Sequence, residues 1–257
     1  MAGQRSLWRT VRRVWVTTGV SVTVGFIAWS LIAYRADGEA RRAAVSDENV
    51  AVSHADGVWR YQSPAAARMP HLIFFPGALV DPRAYAPMAR VLAQKGYPVI
   101  VVELPRRGVF GGAESSALAS RIASALKSVG ASGKVVVGGH SRGAVVASAA
   151  AARHHSRLDG LVLIGSTHPR DVDLSGLKIP VTKIVGTRDG VAKPEAVKRN
   201  ASLLPAHTRW IWVNGGNHSQ FGWYGFQPMD LRARITPEKQ RAIMIDAVAS
   251  LLREVSG

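Results

Sequence analysis

The chain has 257 residues, 47% of them apolar and none cysteine, and its 33 Lys plus Arg against 17 Asp plus Glu give a formal net charge of +16. A chain of this length can bury a substantial core, and the lack of cysteine excludes a disulfide framework, a thiolate zinc site, a Cys nucleophile and a lipidated cysteine anchor. The charge raises nucleic-acid binding, but the 25 Arg and 8 Lys run along the whole length instead of forming a stripe, the pattern of an Arg-rich surface with a few targeting charges, and no nucleic-acid partner is expected.

Residues 1–13 form a basic tail, and Val14 to Tyr34 is an uncharged run of 21 residues. As a helix it spans about 30 Å, the thickness of a bilayer's hydrocarbon core. Trp8 and Trp15 on one side and Trp29 and Tyr34 on the other stand where interfacial aromatics belong. A buried helix of the fold is usually shorter, and a cleaved signal peptide needs a small-x-small site that Ile32-Ala33-Tyr34-Arg35 does not offer. The expectation is an uncleaved transmembrane helix over 14–34, single-pass in the cell membrane. Arg5, Arg9, Arg12 and Arg13 before it, against Arg35, Arg41 and Arg42 after it, favour a cytoplasmic N-terminus and an extracytoplasmic domain. Residues 35–48, polar, Ala-rich and charged, read as a linker or an irregular helix extension, which leaves 49–257 as one catalytic domain.

In that domain Val50 to Ser53 and Val58 to Tyr61 suggest a hairpin across His54-Ala55-Asp56-Gly57. Short apolar runs follow at His71 to Phe75, Pro98 to Val102, Lys134 to Gly138, Leu158 to Ile164, Pro180 to Val185 and Arg209 to Val213. Helical spacing lies between them at Ala84 to Lys95 and at Ser116 to Val129, where Leu118, Ile122, Leu126 and Val129 share a face, and Thr236 to Arg253 closes the chain. Nearly continuous Val/Ile/Leu strands with helical crossovers predict an α/β fold, a three-layer sandwich around a mostly parallel sheet.

Lys134-Val-Val-Val-Gly138 runs into Gly139-His140-Ser141-Arg142-Gly143, and an Ala-rich helix follows from Ala144 to Arg153. The pentapeptide G-x-S-x-G alone is weak, since a Gly-rich turn gives the same letters, but strand, turn and helix form the context of a nucleophile elbow, where side chains at 139 or 143 would crowd the neighbouring strand and helix. An elbow serine needs a base and the base an orienting acid, following it in the order acid, then His. Asp189, in Gly186-Thr187-Arg188-Asp189-Gly190, and His218, in Gly215-Gly216-Asn217-His218-Ser219, each follow a strand in that order. Alone, Asp189 reads equally as half of an Asp-Gly turn and His218 as a packing histidine; their joint placement at carboxyl ends of strands singles them out. Asp171 and Asp173 are fallback acids. Glu103 precedes the serine and suits a salt bridge with Arg106 or Arg107. His140 reads as packing in the elbow, and His154, His155 and His168 lack ligand-spaced partners, so neither metal nor cofactor is expected. For the oxyanion the backbone N–H of Arg142 is one donor, and the turn Pro76-Gly77-Ala78-Leu79 supplies the other from Ala78, with Leu79 second.

These segments, with Phe74 to Val80, Tyr85, Pro87 and the run to Gly222, resemble the α/β-hydrolase superfamily over roughly residues 49–257, and most of all compact hydrolases related to dienelactone hydrolase in a membrane-anchored bacterial set. The resemblance implies Ser141 as nucleophile, Asp189 as acid and His218 as base of a carboxylesterase-like serine hydrolase acting on a small-molecule acyl substrate. Two departures are Pro76-Gly77 where many members have His-Gly, and Ser141 where true dienelactone enzymes have Cys, so dienelactone as substrate is not implied. The stretch between Ile164 and Pro180 is too short for a helical lid, and Gln220, Phe221, Trp223 and Tyr224 stand where they would line the site or pack on the core. The rival reading is a non-catalytic, membrane-tethered binding module on the same fold.

Overall fold

The computed structural model describes residues 2–64 and 70–257, with backbone alone at 2–6 and 31. Among them eight strands form one sheet in the order β1-β2-β4-β3-β5-β6-β7-β8. They are β1 Ala51–Ala55, β2 Val58–Gln62, β3 His71–Phe75, β4 Val99–Val102, β5 Val135–His140, β6 Gly160–Ile164, β7 Val181–Gly186 and β8 Arg209–Val213. The helices are α1 Ala2–Ala33, α2 Gly38–Ala43, α3 Ala86–Gln94, α4 Ser116–Val129, α5 Arg142–His154, α6 Pro194–Arg199 and α7 Pro237–Ser256. The pairings of β1 with β2 and of β2 with β4 are antiparallel, and the rest are parallel.

Alternation along β3 shows why the strands are apolar throughout. Leu72 and Phe74 join the core under α3 and α7, with Val136, Val162, Ile184 and Met244, while Ile73 and Phe75 join the core under α4 and α5, with Val135, Val137, Leu161 and Leu163. At the sheet's first edge the hairpin turns on Asp56 (φ 53°) and Gly57 (φ 71°) alone. That two-residue turn matches the twist of its strands, so His54 and Ala55, expected in the loop, belong to β1.

Residues 35–48 are more structured than a linker. The Asp37 carboxylate accepts the Ala40 N–H at 2.8 Å, capping α2, and Tyr34, Ala36 and Ala40 are buried in the domain core. Asp37 N–H donates to the Trp223 carbonyl, and Gly225 N–H to the carbonyl of Ala33, both at 2.9 Å, tying the end of α1 to the loop after β8. Upstream, α1 leaves Trp8, Val14, Trp15, Val22, Phe26 and Ile32 exposed. Among the described residues no helix is long and apolar enough to cross a membrane. Arg9, Arg12 and Arg13 open α1, and Thr17, Thr18, Ser21, Thr23 and Ser30 dilute its uncharged part. Arg5 and Leu31, which the expected topology and span include, lie outside the described side chains.

Residues 165–180 between β6 and β7 form no helix. They lie against the next segment through Leu174 N–H to Leu203 carbonyl at 2.9 Å and Asn200 Nδ2 to Thr167 carbonyl at 2.8 Å.

Candidate active site

β5 ends in Gly138-Gly139-His140, and Ser141 turns the chain into α5 at φ 55°, ψ −116°. Such a backbone costs a residue with a side chain about 1–3 kcal/mol, so its surroundings must enforce it. Two glycines permit it. A Cβ at Gly139 would lie 2.2 Å from the carbonyl carbon of Gly143, and one at Gly143 would lie 1.8 Å from the Phe75 oxygen at the end of β3. The Ser141 N–H is fixed by the Ile164 carbonyl of β6 at 2.9 Å.

Asp189 and His218 meet behind this turn. Their Oδ2 and Nδ1 atoms are 2.8 Å apart, and both side chains are fully buried. The other oxygen of Asp189 accepts N–H bonds from Val191 at 2.9 Å and Ala192 at 2.5 Å, which fixes the carboxylate plane. Among the described residues His218 Nε2 is buried without a hydrogen-bond partner, so no bond joins it to Ser141 Oγ. The His218 ring lies 4.6 Å from that of His140, the residue before Ser141. His140 is wholly buried. Its Nδ1 shares a 2.8 Å hydrogen bond with the Tyr85 hydroxyl, which also accepts the Gly77 N–H at 3.1 Å. Burial, and then the neighbouring His218, holds His140 well below the ordinary histidine range, so it stays neutral.

The two possible oxyanion donors on the first turn differ. Leu79, at φ 64°, donates its N–H to the Arg107 carbonyl at 2.8 Å, and Arg107 Nη1 returns a bond to the Leu79 carbonyl at 3.1 Å. Its donor is therefore committed, whereas the N–H of Ala78 carries no such bond among the described residues. Arg142 opens α5, where the first amides of a helix have no intrahelical acceptor. A cleft of about 230 Å³ adjoins this turn, walled by Pro76, Gly77, Val80, Leu104 and Arg107.

Other expected residues fall elsewhere. Asp171 and Asp173 are exposed. Glu103 does not pair with Arg106 or Arg107; it accepts from Trp59 Nε1 at 2.8 Å and lies 3.1 Å from His54 Nε2, because β2 and β1 bring those rings over the end of β4. Phe221, Trp223 and Tyr224 pack into the core. His168 lies 3.4 Å from the exposed Asp171, and burial lowers its proton affinity. Among the described residues no group of His, Asp or Glu could hold a metal.

Three participants had no role assigned from the sequence, where Tyr85 figured only in the resemblance and Lys183 and Asp230 were not singled out. Tyr85 joins the turn at Gly77 to the elbow. Lys183, fully buried on the strand leading to Asp189, donates from Nζ to the His168 carbonyl, and burial pulls it to about 7 while Asp189 acts the other way. Asp230, in the loop before α7, binds the loops of both Asp189 and His218. A carboxylate in an irregular loop carries no motif, and a lysine in an apolar run reads as a strand position.

The sequence profile of the alpha/beta hydrolase family matches residues 71–242. No protein of curated function matches the sequence. Among solved structures, an α/β serine hydrolase without a lid from Xanthomonas campestris aligns at 17% identity and TM-score 0.56, covering 82% of this chain and 96% of that one. A soluble variant of monoglyceride lipase from Saccharomyces cerevisiae aligns at 11% and 0.60, covering 84% and 97%. A membrane phospholipase A described as a bacterial virulence factor aligns at 16% and 0.56, covering 98% and 99%. These neighbours share the fold, and together with the sheet order, the elbow and the matched profile they identify the chain as a member of the alpha/beta hydrolase family.

Proposed function

We propose that the protein is a serine hydrolase that cleaves an ester or related acyl bond of a small molecule. The observation that carries this reading is the buried Asp189–His218 bond of 2.8 Å, set beside an elbow serine at φ 55°. In the proposed reaction Ser141 Oγ attacks the acyl carbon as His218 Nε2 takes its proton. Asp189 holds Nδ1–H and so leaves Nε2 as the acceptor. The oxyanion is held by the N–H groups of Arg142 and Ala78, and the proton on His218 passes to the leaving alcohol. Water, deprotonated by the same imidazole, then releases the acid and restores Ser141. The unpartnered Nε2 suits this role, because the bond to the nucleophile often tightens only when substrate arrives. The absence of a helix over 165–180 supports an open site suited to small or exposed acyl groups.

A fluorophosphonate probe tests the reading on the full chain. Wild type is expected to label stoichiometrically, Ser141→Ala not at all, and ester turnover to fall about 10⁶-fold in that variant. Failure of the wild type to label would leave a binding module as the better description, and equal labelling of Ser141→Ala would overturn Ser141 as the nucleophile.

The proposal extends to location: α1 tethers the domain to the cell membrane, with the domain on the outer side. Its exposed Trp and Val side chains support this, as do Thr17, Thr23 and Ser30, whose hydroxyls bond back to the carbonyls of Arg13, Gly19 and Ile27 at 2.8 Å and so need no water. The likeness to the membrane phospholipase A covers enough of the chain to include most of α1. Extraction of isolated membranes at alkaline pH checks it: retention in the pellet fits a helix that crosses, release fits one that lies on the surface, and a chain soluble throughout sinks the tether.

A further inference from the structure

A second carboxylate stands behind the Asp189–His218 pair. Asp230 is 7% exposed. Oδ1 accepts the main-chain N–H groups of Gly190 and His218, both at 3.1 Å, and that of Leu231 at 2.9 Å. Oδ2 accepts the Ser219 N–H at 2.8 Å and its hydroxyl at 2.7 Å. Gly190 is the residue after Asp189, and His218 is the imidazole-bearing residue itself, so one carboxylate grips the backbone of both halves of the pair.

The contact is close on the acid side as well. A Cβ at Gly190 would lie 2.3 Å from the Met229 oxygen and 2.8 Å from the Leu231 nitrogen, so the loop after β7 lies directly on residues 229–231. On the base side, Gln240 of α7, fully buried, accepts the Asn217 N–H at 3.0 Å and donates to the Asn217 carbonyl at 2.6 Å. The amides of 217, 218 and 219 are thus all bound by side chains from beyond the loop.

We propose that Asp230 is a positioning residue that sets the separation and register of the Asp189 and His218 loops, and so the direction in which His218 Nε2 points. An imidazole turned or displaced by about 1 Å loses on the order of 100-fold in rate, and the bonds within the loop on either side of His218 are few, Phe221 N–H to the His218 carbonyl at 3.3 Å and Gln220 N–H to Asn217 Oδ1 at 3.1 Å. Asp230 touches no reacting atom. This inference rests on the serine-hydrolase reading.

The test uses Asp230→Asn, which keeps the shape but turns one acceptor oxygen into a donor facing N–H groups, with Gln240→Leu as a second variant at the same loop. Active sites are counted with the fluorophosphonate, and kcat for a short-chain ester is expressed per labelled site. The expected result is a fall in kcat of about 10- to 100-fold with KM within about twofold, and a shift or loss of the low-field proton resonance of the His218 Nδ1–H in the resting enzyme. A merely structural role would lower the number of labelled sites and leave kcat per site and the resonance unchanged, and that outcome overturns the proposal. If wild type does not label, the hydrolase reading fails by itself; the resonance then decides the positioning role alone, its persistence unshifted in Asp230→Asn overturning it.

Discussion

Around Ser141 the chain is held by crowding. Gly139 and Gly143 have no room for a single added carbon, Leu79, Arg106 and Arg107 join Ser141 at positive φ, and the turn at Gly77 is fastened to the elbow by the Tyr85 hydroxyl. His218 itself has an ordinary backbone, with φ −72° and ψ −52°, and its fixing is done chiefly by acceptors: Asp189 for the ring, Asp230 and Gln240 for the amides. Crowding fixes a position against any larger side chain and is indifferent to polarity. Hydrogen bonding tolerates a change of size better than a change of donor into acceptor. The two sides should therefore fail under different substitutions.

Among substitutions that keep Ser141, the largest effect is expected on the polar side. In Asp189→Asn the amide oxygen can still accept from Val191 and Ala192, which turns the NH₂ toward His218 Nδ1 and favours the tautomer protonated at Nε2. Ester turnover should fall about 10⁴-fold, equal to about 5 kcal/mol of barrier, with little loss of stability. Steady-state kinetics beside urea unfolding separate the two, and a drop below tenfold would break the assignment. On the crowded side, Gly143→Ala drives a carbon to 1.8 Å from the Phe75 oxygen. Stability should fall by about 4 kcal/mol or more, since backbone must move, and a shift of less than 1 kcal/mol in urea titration would show the elbow to be softer than its geometry. Tyr85→Phe removes the link between the two turns and strands the Gly77 N–H and His140 Nδ1, for about 2 kcal/mol by the same measurement.

The same division explains what could be read from the chain alone. Strands His71–Phe75 and Arg209–Val213 and helix Ser116–Val129 have the expected bounds because each edge carries a turn residue, a proline or a cap. The elbow is legible because strain leaves glycines, and glycines are visible as letters. Hydrogen-bonded fixing leaves no such trace: Asp230 and Gln240 sit in a loop and on a helix, far along the chain from Asp189, and only folding shows what their side chains bind. The short helix α2 was hidden for a related reason, since six Ala- and Arg-rich residues show no period, and Ala40 is buried where α2 packs on α3 and the turn that precedes it.

Lys183 puts the smallest test to this comparison, because it is a polar group on the hydrogen-bonded side that burial opposes. Its amine is fully buried, held near pH 7 by desolvation against the ordinary 10.5, with Asp189 acting the other way. Between those values the unfolded chain binds a proton there that the folded chain does not, so this group's contribution to stability is complete above about 10.5 and is lost as pH falls toward 7. Over the step from pH 8 to 9 the wild type should gain up to about 1.4 kcal/mol relative to Lys183→Met, whatever the offset between them. Urea titrations of both proteins at pH 7, 8 and 9 measure the slope. A difference that stays flat with pH would mean that the amine keeps its proton inside the fold, in which case the field of Asp189 outweighs desolvation and the Asp189 side of the site is held by charge as well as by hydrogen bonds.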